Sequence, residues 1–245
     1  MTARLLLAII LLAAPLAAQG RAPIETDRPD FTESSATVPV GRLQLELGYT
    51  FLRSNSNRTT HSLPETLLRV GLTSAVELRV AQNMVVRGGR SSLEDLSLGA
   101  KLALAEQRGA RPQFAVLLES TVPTGGDGVS AETALPSASL LASWAIGERW
   151  SLGSSAMAGR GEGDHLELAG SVVAGYAMND SWRGYAEWFT IQPVQGGVGA
   201  RGESYLNGGV AHLLSPMLQL DARVGAGTGG AADRYFAGLG LSVRW

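Results

Sequence analysis

Three histidines, with the hydroxyls and carboxylates near them, are the first residues in this sequence whose types suggest chemistry. His61 stands beside Ser62, and Asp164-His165 follows Ser154 and Ser155. A lipid hydrolase or acyltransferase needs such a serine within hydrogen-bond reach of a histidine that a third group orients. Neither pair lies in a nucleophile motif, and Ser, Asp and His are ordinary loop residues, so no catalytic role is expected. Isolated histidines and the absence of cysteine leave no metal cluster and no disulfide. The run Gly125-Gly126-Asp127-Gly128 lacks the lysine and the following helix of a phosphate loop. Asp127, Glu132 and Asp164 are oxygen donors of the type Ca²⁺ takes, but they are no more than loop composition supplies. No cofactor is expected. What remains is a set of charges at alternate positions: Arg69, Glu77, Arg79, Asp95, Lys101, Glu119, Glu167, Arg183, Glu187, Asp221 and Arg223.

The elements that carry these charges alternate with a period of two, which sends successive side chains to opposite faces of a strand. Leu43, Leu45, Leu47, Tyr49 and Phe51 alternate with Gln44, Glu46, Gly48 and Thr50; Val76, Leu78 and Val80 alternate with Glu77, Arg79 and Ala81. Twelve such segments are expected, near 42–53, 63–73, 76–86, 94–104, 112–122, 135–145, 150–159, 165–176, 182–191, 204–213, 217–227 and 234–245. Their lengths suit the ~9–11 residues of a tilted bilayer-crossing strand. Tight turns alternate with longer Gly-, Asn-, Ser- and Thr-rich connections, the layout of an outer-membrane barrel. Trp144, Trp150, Tyr176, Trp182 and Trp245 gather at the short-turn edge as an interfacial girdle. The expected fold is all-β: a transmembrane antiparallel up-and-down β-barrel of about 12 strands over residues 41–245.

Composition narrows the alternatives. The chain is 45% hydrophobic, yet beyond its first twenty residues no apolar run is long enough to cross a membrane as a helix. Residues 1–20 carry Arg4, a ten-residue apolar run and small residues after Pro15, which reads as a cleaved export signal. A formal charge of −2 with dispersed arginines gives no footprint for nucleic acid. A soluble sandwich or lipocalin-type barrel would also show alternation, with its apolar face turned inward. Strand length, girdle, export signal and lopsided loops favour the membrane reading.

With the apolar parity on lipid, the charged parity fills a narrow interior and must pair or stay hydrated. Such a lattice serves equally as a permeation path that selects solutes or as a brace for the wall. Residues 21–40 precede the first strand. Within them, Thr26-Asp27-Arg28-Pro29-Asp30 belongs to a stretch, 25–34, with four acids against one base. One reading folds this segment into the periplasmic mouth as a plug or gate on luminal arginines such as Arg69, Arg79 and Arg223; the other leaves it a solvated tail.

The stretch Glu25-Thr26-Asp27-Arg28-Pro29-Asp30-Phe31-Thr32-Glu33-Ser34, followed by Val38-Pro39-Val40-Gly41-Arg42-Leu43-Gln44-Leu45-Glu46-Leu47-Gly48-Tyr49, resembles the opening of a family of outer-membrane transporters. That family is named after the MetA pathway of phenol degradation. Leu68-Arg69-Val70-Gly71-Leu72-Thr73, Asp95-Leu96-Ser97-Leu98-Gly99-Ala100-Lys101, Pro123-Thr124-Gly125 and Leu218-Gln219-Leu220-Asp221 extend the resemblance along the mature chain. Two departures are the terminal Trp245 and the middle strands over 135–176, which match by pattern alone. The resemblance implies passage of small, hydrophobic or aromatic compounds across the bacterial outer membrane. The expected partners are outer-membrane lipid, a small solute, and the barrel assembly machinery through the strand ending in Trp245. A non-conducting structural, adhesive or binding barrel is the alternative.

Overall fold

In the computed structural model, residues 22–195 and 201–245 are described. The export signal expected over 1–20 and part of the long connection after residue 191 lie outside the described residues. The alternating segments form β1 (Leu43–Arg53), β2 (Thr59–Gly71), β3 (Val76–Arg87), β4 (Arg90–Leu93), β5 (Leu96–Ala105), β6 (Gln113–Val122), β7 (Leu135–Ile146), β8 (Trp150–Gly161), β9 (His165–Ala177), β10 (Trp182–Gln195), β11 (Glu203–Ser215), β12 (Leu218–Gly230) and β13 (Tyr235–Arg244). Sequence neighbours pair around the ring except that β3 pairs directly with β5, β1 pairs with β13, and β2 pairs with β3 on its far side, so the sheet closes. Among the twelve strands other than β4, which pairs with β3 alone, closure leaves no unpaired edge, the condition a sheet must meet in a medium without hydrogen-bonding solvent.

The exposed face carries the apolar parity. Leu78, Val80, Leu98, Leu118, Leu140, Val172, Leu206, Val224 and Leu239 are exposed, whereas Glu77, Arg79, Lys101, Glu187, Asn207 and Asp221 on neighbouring positions are buried. A soluble ligand-binding barrel has the opposite polarity, so this is a transmembrane barrel. Apart from β4, the strands have 10 to 14 residues. At ~3.4 Å per residue and a tilt of ~40°, ten to eleven residues rise ~26–29 Å, close to the ~25 Å apolar band of outer-membrane barrels. At the short-turn edge, Trp150 lies 4.7 Å from Tyr176 and Trp182 stacks on His212 at 4.2 Å. Trp245 exchanges backbone hydrogen bonds with Leu43 at 3.0 and 3.1 Å, tying the end of the chain to its first strand.

Two local departures from simple alternation have physical causes. β2 begins four residues earlier than its alternation indicates, because its pairing shifts between Ser62 and Glu65, around Pro64. A proline has no N–H for the ladder and is accommodated at such an irregularity. The fourth expected segment is interrupted as well. β4 pairs with the outer end of β3 and β5 with its inner half, leaving Glu94 and Asp95 between them.

That interruption takes Asp95 out of the lumen lattice and makes it a loop anchor. Its carboxylate accepts hydrogen bonds from the Thr124, Gly125 and Ala131 amides at 3.0, 2.8 and 2.9 Å, and from Ser130 Oγ at 2.8 Å. These bonds, the one from Ala131 foremost, hold its pKa below the ordinary carboxylate value. A depressed folded-state pKa means the anchor is complete above the unfolded value of ~3.9 and is lost only as pH falls through the lower folded one. Asp95→Ala is therefore expected to abolish hydrogen-exchange protection of the Gly125 and Ala131 amides at every pH. In the parent chain, that protection persists at pH 4 and disappears on further acidification.

Candidate functional site

The inward parity of the strands meets a single run of chain. Residues 22–42 carry no regular structure, yet Ile24, Asp27, Thr32, Ser35 and Val38 are all buried. Because the hydrogen bonds of these residues run to strands on several sides of the barrel, the segment occupies its interior. A chain without secondary structure must satisfy its backbone groups elsewhere, and wall carboxylates do much of this. Glu46 accepts from the Asp27 amide at 3.1 and 3.2 Å and from the Arg28 amide at 3.1 Å. Glu187 accepts from Phe31 N at 2.8 Å and Thr32 N at 2.7 Å, and Glu77 accepts from Val38 N at 2.7 Å.

Asp27 is the electrostatic centre. Its carboxylate contacts Arg79 at 2.5 Å, Lys101 at 3.0 Å and Arg69 at 3.4 Å, and it also accepts from Ser34 N at 2.9 Å. The three cations are themselves held in place. Arg69 forks onto Glu77 with two 2.9 Å bonds and reaches Glu46 at 3.0 Å; Arg79 spans Glu33 at 2.8 Å and Glu119 at 3.1 Å; Lys101 donates to Ser34 O at 2.7 Å. Bidentate, charge-assisted bonds of this kind give geometry as well as attraction.

Arg28 extends the lattice across to the opposite strands. It bonds Glu65 at 2.8 Å and Leu239 O at 3.1 Å, with Asp221 3.6 Å away. Its guanidinium lies over Gly48 and Gly240, which face each other across β1 and β13; a Cβ at either position would strike it. Thr26 Oγ1 donates to Arg28 O at 2.6 Å and accepts from Gln219, while Pro29 O accepts from Arg223 at 3.1 Å. Phe31 then stacks on Phe189 at 4.3 Å, beside Tyr205 and Phe236. The segment is thus held by ion pairs at one end of this stretch and by an aromatic nest at the other.

On either side of the segment the lumen is open. A cavity of about 440 Å³ faces the short turns and includes Gln113, Trp144, Tyr176 and Arg183 in its wall. A second of about 410 Å³ lies toward the long loops and includes Leu67, Ser139, Leu141, Met157, Ala169 and Glu119. Arg28, Asp30 and Glu33 border both cavities, so they mark the partition between them.

Of the residues singled out by spacing, Arg69, Glu77, Arg79, Lys101, Glu119, Glu187, Asp221 and Arg223 converge on the inner segment, with Thr26, Asp27, Arg28 and Pro29 at the contact. Arg183 is exposed at the inner mouth, Glu167 sits on the third position of β9 with no ion pair among the described residues, and Asp95 is the loop anchor described above. His165 pairs with Gly161, whereas Ser154 and Ser155 pair with Val172 and Ser171 farther along β9, and His61 Nδ1 bonds Tyr49 at 2.9 Å. Glu46, Glu65 and Phe31 were not singled out. Glu46 lay in plain view on the inward parity of the first strand, but its role as acceptor for the Asp27 and Arg28 amides has no sequence signature.

A family model described as "Putative MetA-pathway of phenol degradation" matches residues 26–245. No curated protein matches the chain. Among solved structures, the COG4313 outer membrane channel from Pseudomonas putida F1 is similar with a TM-score of 0.70 and 12% identity, covering 86% of this chain and 98% of that one. The NanC porin is similar with a TM-score of 0.59 and 7% identity, covering 82% and 98%. The KdgM porin follows with 0.53 and 8%, covering 81% and 98%. At these identities the likeness is one of fold.

Proposed function

This chain belongs to the MetA-pathway phenol-degradation family, and from that premise we propose that it passes small molecules across the bacterial outer membrane, with residues 22–42 as an internal plug that sets what can pass. The observation that carries the proposal is the pair of cavities, one toward each mouth, parted by the inner segment at Arg28, Asp30 and Glu33. The family description suggests the solute class, and the apolar part of the outer cavity supports it. Phe31, Leu67, Leu141, Met157 and Ala169 give it apolar surface, and about 410 Å³ exceeds the ~150 Å³ that holds benzene in an engineered protein cavity. Most of the rest of its wall is charged, Arg28, Glu65, Arg79, Glu119 and Arg223 among it, so small aromatic compounds that bear a polar substituent suit this mixed wall best. The membrane partner is the lipid around the apolar belt, and the strand ending in Trp245 supports recognition by the barrel assembly machinery.

Planar bilayers and liposomes test this reading. The purified barrel is expected to give discrete, small conductance steps and to admit phenol-sized solutes into liposomes while excluding oligosaccharides. A barrel that is silent in both assays overturns the transport reading. It would favour the second one, a non-conducting structural barrel, for which the buried lattice around Asp27 is the supporting observation.

A further inference from the structure

Resting on the transport reading, we propose that solutes cross the partition along the inner face of β7, β8 and β9, and that they are uncharged compounds presenting a hydroxyl as hydrogen-bond donor. The two cavities approach each other most closely there. On β7 they touch consecutive luminal positions, Leu141 from the outer side and Ser143 from the inner; on β8 they do so at Ser155 and Gly153. Two residues along a strand span only ~6.8 Å. β6 and β12 also border both cavities, but their wall residues, Glu119 with Gln113 and Arg223 with Gln219, lie ~20 and ~14 Å apart along the strand. The partition is therefore thinnest against β7 and β8.

The bonds that close this contact are neutral. Ser35 Oγ donates to Ser143 Oγ at 2.8 Å, and Thr32 Oγ1 meets Ser171 Oγ at 2.6 Å. Among the described residues no ion pair joins the inner segment to β7, β8 or β9; its ion pairs run to β2, β3, β5 and β12. Neutral hydrogen bonds are weaker than charge-assisted ones, so Ser35 can part from Ser143 while Asp27 and Arg28 stay paired. Gly153 leaves room beside the contact, since a Cβ there would meet Val173 at 2.8 Å and Thr32 at 3.4 Å.

The same wall sets the chemistry of the solute. Between Glu167 and the short turns, the luminal face of β7, β8 and β9 carries no charged group, so an ion crossing there sheds water without a counter-charge on this wall. A chain of hydroxyls then fixes the polarity of the contact. Thr32 Oγ1 donates to Glu187 Oε1 at 2.7 Å, which spends its proton, so Ser171 is the donor in the 2.6 Å bond between Ser171 and Thr32. Ser171 has no second proton, so Ser155 is the donor in the 2.6 Å bond between Ser155 and Ser171. Ser155 Oγ is left with lone pairs on the wall of the outer cavity. It receives the hydroxyl of an alcohol or a phenol and has nothing to offer an ether or an N-oxide.

Osmotic swelling of liposomes holding the full chain tests the path and the solute class together. The probes are erythritol, sodium erythronate as its charged counterpart, and trimethylamine N-oxide, which has no net charge and only accepts hydrogen bonds. Erythritol is expected to enter at least about fivefold faster than either of the others. In the cysteine-free chain, Ser35→Cys/Ser143→Cys brings two sulfurs within bonding range. Oxidation is expected to slow erythritol at least about fivefold, and reductant to restore it. Heat-modifiable gel mobility checks that each barrel is folded. Should the pair not fold or not oxidise, Ser155→Phe is expected to slow entry more than Ser97→Phe, which places the same bulk on the β5 side of the outer cavity. Erythritol entry unchanged by the disulfide, or equal slowing by the two phenylalanines, overturns the path; equal entry of all three probes overturns the solute class. A parent barrel that admits none of them overturns the transport reading itself, and this path with it.

Discussion

Asp27→Ala is expected to release the inner segment while leaving the barrel folded. The substitution removes one carboxylate from contact with Arg79, Lys101 and Arg69, all of them nearly or fully buried. Removing one partner from a buried, hydrogen-bonded charge group costs about 3–5 kcal/mol. That penalty applies only while the segment stays in place, because withdrawal lets water reach the three cations. The equilibrium between inserted and withdrawn segment therefore moves outward by roughly a hundredfold or more, at ~1.4 kcal/mol per power of ten. The strand ladders do not involve Asp27, so the folded barrel keeps its gel mobility. A chain without cysteine offers a direct readout. Ser35, which is 1% exposed and donates to Ser143 at 2.8 Å, can be replaced as Ser35→Cys. Maleimide labelling is expected to be slow in that background and fast when Asp27→Ala is added, with a parallel rise in conductance. Labelling that stays slow in the double variant would mean the segment is held without Asp27.

Most of the barrel was legible because a period of two is unambiguous over ten residues. Leu78, Val80 and Leu98 on one side, and Glu77, Arg79 and Lys101 on the other, separate by arithmetic alone. Which side faces lipid was not arithmetic. It needed strand length and aromatic placement, since a soluble barrel obeys the same alternation. The two misplaced boundaries share a cause. At Pro64 and at Glu94-Asp95 a strand breaks and resumes in a new register, and the apolar pattern on each flank conceals the break. Asp95 was assigned to the lumen for that reason: it holds the correct parity with Ser97 and Gly99 but lies just before the strand begins.

The inner segment was legible in its charge and not in its contacts. An acidic run before an arginine-bearing wall suggests pairing, and Arg69, Arg79 and Arg223 are among the wall residues it touches. Lys101, the one lysine of the chain, joins them at Asp27. Two further devices could not be read. Glu46, Glu77 and Glu187 accept from backbone amides, which are the same in every residue, so no side-chain pattern in the segment announces them. Phe31 stacks on Phe189, more than 150 residues distant in the sequence, in a nest that exists only once the barrel closes.

Deleting residues 21–34 is expected to raise single-channel conductance by more than any point substitution and to shift ion preference toward anions. Two physical effects act together. The partition bordered by Arg28, Asp30 and Glu33 disappears, so the cavities toward the two mouths merge into one water-filled path. The deletion also removes four acids, Glu25, Asp27, Asp30 and Glu33, against two bases, Arg21 and Arg28. Arg69, Arg79 and Lys101 lose their shared counter-ion Asp27, while Arg69 keeps Glu77 and Glu46 and Arg79 keeps Glu119, so the balance of charge on the path moves in the positive direction, which favours anions. A reversal potential measured across a salt gradient separates the effects, because widening alone raises conductance without changing its sign preference. Glu187→Ala provides the graded comparison. It frees the Phe31 and Thr32 amides but leaves Asp27 paired, so its conductance should lie between the parent and the deletion, with selectivity near the parent's. Unchanged conductance and selectivity in the deletion would show that the segment does not obstruct the path.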